Sequence, residues 1–239
     1  MEFVQGMNHM NNLEVLYEDN HIIVVVKPCN ILSQADSTND IDMLTLVKDY
    51  IKKKYNKPGY VYLGLVHRLD RPVGGVMVFA RTSKAASRLT EMIKNYNVSK
   101  NYLAVINGIM NEKKGKFTDY LIKENNGNSS VTTKDKGKIS ELNYKVLEEN
   151  KKEKLSLVEI ELLTGRHHQI RVQFSSRKYP LYGDQRYGKQ DKKQIALWAY
   201  KLSIIHPVSK ENLTFTYLPN NKQDGWNYFE RYFQISSCK

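Results

Sequence analysis

Several stretches of this chain alternate apolar and polar residues with a period of two, the pattern of a β-strand that buries one face. The opposite face carries glutamates in one stretch and threonines in another. The apolar positions are Leu142, Tyr144 and Val146, then Val158, Ile160 and Leu162, then Leu213, Phe215 and Tyr217. Strands buried on one face are typical of antiparallel sheets, so the alternation predicts a largely antiparallel sheet.

Shorter apolar runs predict further strands. Residues 13–26 predict two strands around an Asp19-Asn20 turn, and the second of them, 21–26, is apolar enough to be buried. Lys27-Pro28 ends it, because proline lacks the N–H that a sheet needs. Residues 76–80 and 102–106 predict two more strands.

Helical spacing is found in fewer places. Residues 41–55 predict a helix with Asp40 as N-cap, and a second helix is predicted from Ser83, as its cap, to about Asn95. Aromatic residues at 226, 229 and 233 predict a packed terminal helix, whereas the polar residues 123–138 predict a mobile hairpin tip or surface loop. Many strands with few helices indicate an α+β fold.

The chain has 239 residues, enough for one large domain or two closely packed subdomains. We take residues 13–239 as one domain and residues 1–12 as an N-terminal extension. No apolar run reaches the roughly 20 residues of a membrane helix, and residues 1–12 lack the apolar core of a secretory signal. With only Cys29 and Cys238, we expect no disulfide scaffold and a cytoplasmic location.

The composition is strongly basic. Lys and Arg number 37 against 25 Asp and Glu, a formal net charge of +12. This excess favours a polyanionic partner, because Lys and Arg release the counterions condensed on phosphates. A solvated basic surface is the alternative, and the lysine clusters at 52–57 and 113–116 fit either interpretation.

The first segment that departs from the strand and helix patterns is residues 64–75, GLVHRLDRPVGG. It places one carboxylate, Asp70, between Arg68 and Arg71, followed by a proline and two glycines that permit close backbone approach. The neighbouring positive charges favour the ionised carboxylate. A catalytic carboxylate and a structural ion pair in a loop both fit this arrangement.

The second such segment is residues 163–172, LTGRHHQIRV, directly after an alternating strand. Adjacent histidines suggest a metal, but neighbours point in different directions in a helix or strand, and no carboxylate or cysteine stands at a standard ligand spacing. We therefore expect no metal. A polar loop with guanidinium and amide groups suits contact with phosphates and bases better.

These segments and several others resemble the RluA-type pseudouridine synthases, from about Leu13 to Pro219. The ordered blocks that carry the resemblance are Val26-Lys27-Pro28, His67-Arg68-Leu69-Asp70 with Gly75, Lys100-Asn101-Tyr102-Leu103-Ala104, Thr164-Gly165-Arg166, His168-Gln169-Ile170-Arg171-Val172, Gly183-Asp184, Leu197-Trp198-Ala199 and His206-Pro207. The resemblance implies a catalytic domain over 13–239 with a central mixed, mostly antiparallel sheet, flanking helices and a basic cleft.

The resemblance also implies roles. Asp70 matches the catalytic aspartate, Tyr102 the active-site tyrosine, and Arg171 the arginine that pairs with the aspartate. Arg68 matches the residue that fills the space left by a flipped nucleotide, and Lys27, with Pro28, matches a motif that supports the catalytic loop. The residues expected to bind substrate or RNA are Arg68, Lys27, Arg166, His168, Gln169 and Ile170, the last packing near the target base.

The sequence departs from the commonest form of the family at several positions. Val73-Gly74-Gly75 stands where many members have Thr-Ser-Gly, His167 replaces a frequent threonine, and Gln173 and Trp198 each replace a frequent histidine. None of these departures removes Asp70, Tyr102 or Arg171, so they bear on the choice of substrate and not on the reaction.

The function implied is an isomerase that converts uridines in structured ribosomal or transfer RNA into pseudouridine, with base flipping. The reaction needs no redox change or external energy and the chain has no G-x-x-x-x-G-K-[ST] loop, so we expect no cofactor. RNA is the expected partner, and a monomer is the default. The alternatives are a non-catalytic RNA-binding or folding factor on the same domain and a metal-dependent hydrolase that uses His167 and His168.

Overall fold

The structure of the protein is a computed structural model that describes residues 13–236. The predicted extension 1–12 and Cys238 lie outside the described residues. Strands β1 to β11 span Val15–Glu18, Ile22–Lys27, Gly64–Leu65, Gly74–Ala80, Ser99–Asn107, Lys114–Lys123, Ser129–Thr132, Lys138–Asn150, Leu155–Leu162, Leu197–Ile205 and Asn212–Thr216. Helices α1 to α4 span Met43–Lys54, Ser83–Lys94, Gln169–Ser176 and Glu230–Ser236, and a 3-10 helix spans Trp226–Phe229. Within the described range, none of the helices combines the length and the apolar character needed to cross a membrane.

The chain forms two compact units, which are described in turn. The first unit contains residues 13–98 and 201–217, and the second contains residues 99–200 and 218–236. The boundary therefore falls within β10. Each unit combines antiparallel strands with helices, so the fold belongs to the predicted α+β class.

The first unit is built on the antiparallel pair β2 and β4. Ile22 lies opposite Ala80 and Lys27 lies opposite Gly75, so the whole of β2 is paired. Every residue of both strands is buried, which explains why their sequences are continuous apolar runs and do not alternate. Strand β1 pairs with the other edge of β2, and β3 pairs with β4. The predicted strands at 21–26 and 76–80 are confirmed.

The N-caps of the two helices in the first unit lie one or two residues from the predicted positions. The N-cap of α1 is Asp42, whose carboxylate accepts the N–H of Thr45 at 3.1 Å. The predicted cap, Asp40, instead pairs with Arg71 at 2.8 Å. Thr82, and not Ser83, caps α2 through the N–H of Ala85. Asp, Ser and Thr all favour the N-cap position, so residue type does not distinguish between neighbouring candidates. The N-cap is the candidate at which the backbone enters the first helical turn.

The second unit contains five antiparallel strands in the order β5-β9-β8-β6-β7. Tyr102 of β5 and Tyr144 of β8 both lie opposite Ile160 of β9. Val158, Ile160 and Leu162 are buried, which confirms the one-sided burial predicted from their alternation. The sheet therefore places Tyr102 at a position set by its pairing with β9.

Residues 123–138, predicted as a mobile tip or surface loop, contain strand β7. Its residues pair with β6, where Leu121 lies opposite Val131. Ser129 is buried, whereas Val131 is 43% exposed. The strand pairs with β6 through backbone hydrogen bonds. Because its buried residue is a serine and its valine is exposed, the sequence lacks the apolar alternation by which strands are recognised.

Aromatic residues fill the interior of the second unit. Phe117, Tyr144 and Phe174 form a cluster with ring centroids 4.6 to 6.0 Å apart. Trp226 and Phe229 of the 3-10 helix are also buried. Phe233 is buried on α4, so the predicted packing of this terminal segment is confirmed.

The backbone conformation at Gly183 can be tested by substitution, with Gly59 as the control. Gly183 has φ +70°, and a Cβ there would lie 2.2 Å from the carbonyl oxygen of Gln194. We expect Gly183→Ala to lower the free energy of unfolding by about 3 kcal/mol, because both the φ angle and the space oppose a side chain. Urea denaturation followed by circular dichroism measures this change.

Gly59→Ala is the matched control, because no atom of the described residues lies within 4 Å of the new Cβ. We expect a change of at most about 0.5 kcal/mol for this variant. Equal losses of stability in the two variants would contradict the backbone geometry around Gly183.

Candidate active site

The loop that carries Asp70 is held from below by Lys27, the last residue of β2. The side chain of Lys27 is fully buried. Its Nζ donates to the carbonyl oxygens of Pro28 at 3.0 Å, Arg71 at 3.0 Å and Val73 at 2.7 Å. Two of these carbonyls follow Asp70 in the chain, so a single ammonium group fixes the backbone just beyond the carboxylate.

Burial has an electrostatic cost for Lys27. Desolvation is the largest effect and lowers the pKa of the ammonium to about 8, although Cys29 and Asp70 act in the opposite direction. The positive charge is therefore retained at neutral pH through its three carbonyl acceptors. These contacts are those of a residue that supports the loop, and the expected contact of Lys27 with RNA stays a prediction.

Further contacts fix the loop before Asp70. Ser33 Oγ donates to the carbonyl of Leu69 at 2.7 Å and accepts the N–H of Leu69 at 3.1 Å. His67 Nε2 accepts the N–H of Val78, a residue of β4, at 3.0 Å. Together with Lys27, these contacts anchor the chain on both sides of Asp70. A carboxylate on such a segment is held in one place before any substrate arrives.

The two arginines beside Asp70 are exposed, whereas Asp70 itself is partly buried. Arg71 pairs with Asp40 at 2.8 Å, and each side chain of the pair is 46% exposed. The neighbouring Leu69 and Val73 are buried. The loop therefore projects Arg68 into solvent from a backbone anchored at the residues around it.

Tyr102 and the segment around Arg166 belong to the second unit. Tyr102 is buried on β5, only 8% exposed. Gln169, the first residue of α3, accepts the N–H of Arg166 at 3.0 Å and the hydroxyl of Thr164 at 2.8 Å. It also donates to the carbonyl of Glu141 at 3.0 Å. Gln169 thus holds the Thr164–Arg166 loop from within the protein, and it is 3% exposed.

The structure corrects the secondary structure predicted for this segment. Residues 163–168 form the predicted polar loop, but Gln169–Ser176 is helix α3. His168 ends the loop with a left-handed backbone, φ 54°. Ile170 is buried in the first turn of α3. The helix was missed because most of its residues are buried, polar ones included, so it has no apolar stripe.

The adjacent histidines contact different partners. His167 Nδ1 lies 2.9 Å from Ser129 Oγ, and His168 Nδ1 lies 2.7 Å from the hydroxyl of Tyr187. The same hydroxyl accepts the N–H of Ser129 at 2.7 Å. The imidazole rings stack at 3.7 Å. Both histidines therefore fasten β7 and residue 187 to the start of α3.

Arg171 is held in the second unit by a buried ion pair. Its Nε and Nη2 donate to the two carboxylate oxygens of Asp184 at 2.8 and 2.7 Å. Its guanidinium carbon lies 5.1 Å from the ring centroid of Tyr187. Arg171 is 4% exposed and the Asp184 side chain is fully buried. This bidentate pair fixes a positive charge inside the protein.

The ionisation of Asp184 depends on that pair. Burial is the largest effect and by itself raises the pKa of Asp184, but hydrogen bonds and charge from Arg171 outweigh it. The backbone N–H groups of Arg186 and Tyr187 also donate to the carboxylate. The net result is a pKa below the ordinary value of an aspartate, so both members of the pair are charged at neutral pH.

The structure thus distributes the predicted site residues between the two units. Those of the first unit are Lys27, Arg68 and Asp70, and those of the second are Tyr102, Arg166, His168, Gln169, Ile170 and Arg171. No role was predicted for Ser33, Asp184 or Tyr187. Asp184 could have been recognised from the sequence, because Gly183-Asp184 is one of the blocks that carry the family resemblance. An isolated serine or tyrosine offers no such signal.

Comparisons with known proteins identify the site's family. The family described as RNA pseudouridylate synthase matches residues 21–176. An RNA pseudouridine synthase of Bacillus subtilis, named as uncharacterised, is 33% identical over 202 residues, covering 83% of this chain and 66% of that protein. The ribosomal large subunit pseudouridine synthase D of Xanthomonas campestris is 33% identical to this chain over 216 residues. The match covers 83% of this chain and 63% of the Xanthomonas protein. The chain thus spans just under two thirds of these two relatives.

A solved structure agrees in fold. Human RNA pseudouridylate synthase domain containing 4 superposes with a TM-score of 0.78 at 20% identity, covering 95% of this chain and 98% of that one. At that identity the similarity concerns the fold alone. It confirms the predicted α+β architecture, whereas the basic cleft stays a prediction.

The charge of Lys27 allows a pH test. Folding lowers its pKa to about 8, so above pH 8 the unfolded chain holds a proton that the folded chain has released, and stability rises with pH. Relative to Lys27→Met, we expect the wild type to gain about 2 kcal/mol of unfolding free energy between about pH 7 and 9.5. Urea denaturation of both proteins across this range gives the difference.

Lys84→Met is the control, because Lys84 is exposed on α2. Its difference from the wild type should stay constant with pH. If the difference between the wild type and Lys27→Met were equally flat, Lys27 would not be a desolvated ammonium group.

Proposed function

Because the chain belongs to the RluA-type RNA pseudouridine synthase family, we propose that it converts uridine in structured RNA into pseudouridine, with Asp70 as the reacting carboxylate. The observation that supports Asp70 is its loop. Buried polar groups of Lys27 and Ser33 bond the backbone on either side of Asp70, and the ring of His67 joins the same segment to the N–H of Val78. A surface ion pair would need no such support.

The reaction breaks the N1–C1′ bond of uridine, rotates the base and forms a C5–C1′ bond, after which the C5 proton is lost and N1 is protonated. Two routes are open to the carboxylate of Asp70. It either attacks C1′ as a nucleophile, or removes the C2′ proton to give a glycal that is later reprotonated. Either route requires the ionised carboxylate and leaves it regenerated at the end.

We assign Tyr102 and Arg171 to the same reaction, as the family resemblance implies. Tyr102 packs against the uracil ring and assists removal of the C5 proton. Arg171 supplies a positive charge for the reacting groups, and Asp184 holds that charge in a fixed orientation. Asp184 is accordingly a positioning residue.

Arg68 is proposed to fill the gap that a flipped nucleotide leaves. Flipping costs a few kcal/mol, and a planar guanidinium that stacks in the gap offsets part of this cost. The exposure of Arg68 between the anchored residues His67 and Leu69 supports this role. A rigid backbone behind an exposed side chain suits insertion into RNA.

Ribosomal RNA of the large subunit is the first substrate to test, because one relative carries the name of a ribosomal large subunit enzyme. Transfer RNA is the second. We place the reaction in the cytoplasm, where both occur. An RNA-binding factor without catalysis would bind these RNAs and leave every uridine unchanged.

Replacement of the proposed catalytic carboxylate tests the function directly. We expect Asp70→Asn to reduce turnover by about three orders of magnitude or more while leaving RNA affinity nearly intact. Unmodified ribosomal and transfer RNA transcripts are incubated with each protein, and pseudouridine is mapped by carbodiimide adducts that stop primer extension.

The control is Asp40→Asn, which makes the same change at an exposed carboxylate paired with Arg71. It should retain most of the wild-type turnover. Substantial turnover by Asp70→Asn would exclude the catalytic assignment. Binding without any modification by the wild type would instead favour a non-catalytic factor.

Base flipping is tested through Arg68. We expect Arg68→Ala to slow modification of a structured RNA at least about tenfold more than modification of a flexible oligonucleotide with the same sequence, because only the structured RNA must be unstacked. Single-turnover rates on both substrates give this ratio. Arg71→Ala is the control from the same loop, and equal losses on both RNAs for Arg68→Ala would contradict the flipping role.

A further inference from the structure

Lys100, on β5, has no polar partner for its ammonium group within residues 13–236. Among the described residues its ammonium has neither a hydrogen bond nor an ion pair, although the side chain is largely withdrawn from solvent. Burial lowers the pKa of this ammonium, and no neighbouring charge is among the causes. A desolvated cation without an acceptor is unfavourable, so the position is suited to an anion that arrives from outside.

The loop next to Lys100 leaves room for such an anion. Lys100 Nζ lies 3.4 Å from the position that a Cβ on Gly165 would occupy. Gly165 is exposed and has no side chain, so the ammonium is covered on this side by backbone only. The flanking residues are fixed, because Gln169 holds both Thr164 and Arg166.

Arg166 provides a second cation beside Gly165. Its Nε donates to the carbonyl of Ile139 at 3.0 Å, which sets the direction of the guanidinium. Its terminal nitrogens have no hydrogen-bond partner in the part of the chain that the structure describes. The N–H of Glu141 donates to Thr164 in the same loop at 2.8 Å, and the carboxylate of Glu141 pairs with Lys116 at 2.6 Å.

Lys100 and Tyr102 project from the same face of β5. Residues two apart in a strand project from the same face of the sheet, and Lys100 and Tyr102 are two apart in β5. The residue between them, Asn101, lies opposite Glu161 and belongs to the other face. An anion held at Lys100 would therefore lie on the face of the sheet that carries Tyr102.

We propose that Lys100 and Arg166 form a binding site for one phosphate of the RNA backbone close to the target uridine. The proposal rests on the proposed function, since it names the group of the RNA that the second unit holds. The ammonium supplies a point charge and the guanidinium a fork of donors, a combination suited to phosphate oxygens. Such contacts set the register of the RNA and carry no base preference.

The test measures binding of the RNA that the wild type modifies as a function of salt. We expect Lys100→Met to weaken binding about tenfold for every RNA sequence tried. The slope of log affinity against log salt concentration should fall by about 0.7 to 1, the loss of one phosphate contact. Lys100→Arg should keep the slope, and Lys84→Met, on α2, is the control. Lys100→Gln repeats the test with a second neutral side chain.

Neutral linkages identify the phosphate. A set of short RNA substrates carries a single methylphosphonate at successive positions around the target uridine. The penalty of Lys100→Met should vanish at one linkage, because the charge that the lysine would contact is absent there. A penalty that persists at every linkage, or an unchanged slope for both neutral variants, would overturn the proposal.

These outcomes are separate from those of the proposed function. Failure of the function appears as absence of pseudouridine with the wild-type protein. Failure of the phosphate site appears as normal modification by the wild type together with unaltered salt dependence in Lys100→Met and Lys100→Gln.

Discussion

The arrangement of the first unit depends on one buried ammonium group. Lys27 ends a strand whose other residues are apolar, and it is buried as fully as they are. Its charge can remain there only because the carbonyls of Pro28, Arg71 and Val73 replace water. Those carbonyls can converge only if the chain turns tightly after Asp70. The requirement to solvate a lysine thus determines the path of the loop that carries the carboxylate.

The second unit uses a buried cation in a different way. Arg171 is paired with a buried carboxylate, Asp184, and not with backbone carbonyls. A bidentate ion pair fixes the plane of the guanidinium as well as its position, which three carbonyls around an ammonium do not do. Tyr187 covers one face of the arginine and is held by His168 and Ser129. Burying a charge costs free energy. In both units the buried charge belongs to a residue to which the family resemblance gives a role in the site.

Much of the fold could be predicted because its strands have strong patterns. The continuous apolar runs of β2 and β4 and the alternation in β9 were assigned correctly. Strand β7 and helix α3 were missed for a shared reason. Each buries polar side chains, Ser129 in the strand and Gln169 in the helix, at positions where an amphipathic pattern would have apolar ones. Hydrophobic periodicity, the main signal in a single sequence, is therefore absent from both.

Residue types in a fixed order were enough to predict the family and the α+β class, and the same order nominates the residues that we propose for the chemistry. Which charges are solvated, paired or left open depends on the folded arrangement of the chain. Lys27, Lys100 and Lys84 are the same residue type in the sequence. Folding surrounds the first with carbonyls, leaves the second desolvated beside Gly165, and exposes the third to water. The solvation of a charge depends on groups distant in the chain, and no local pattern records which of them come together.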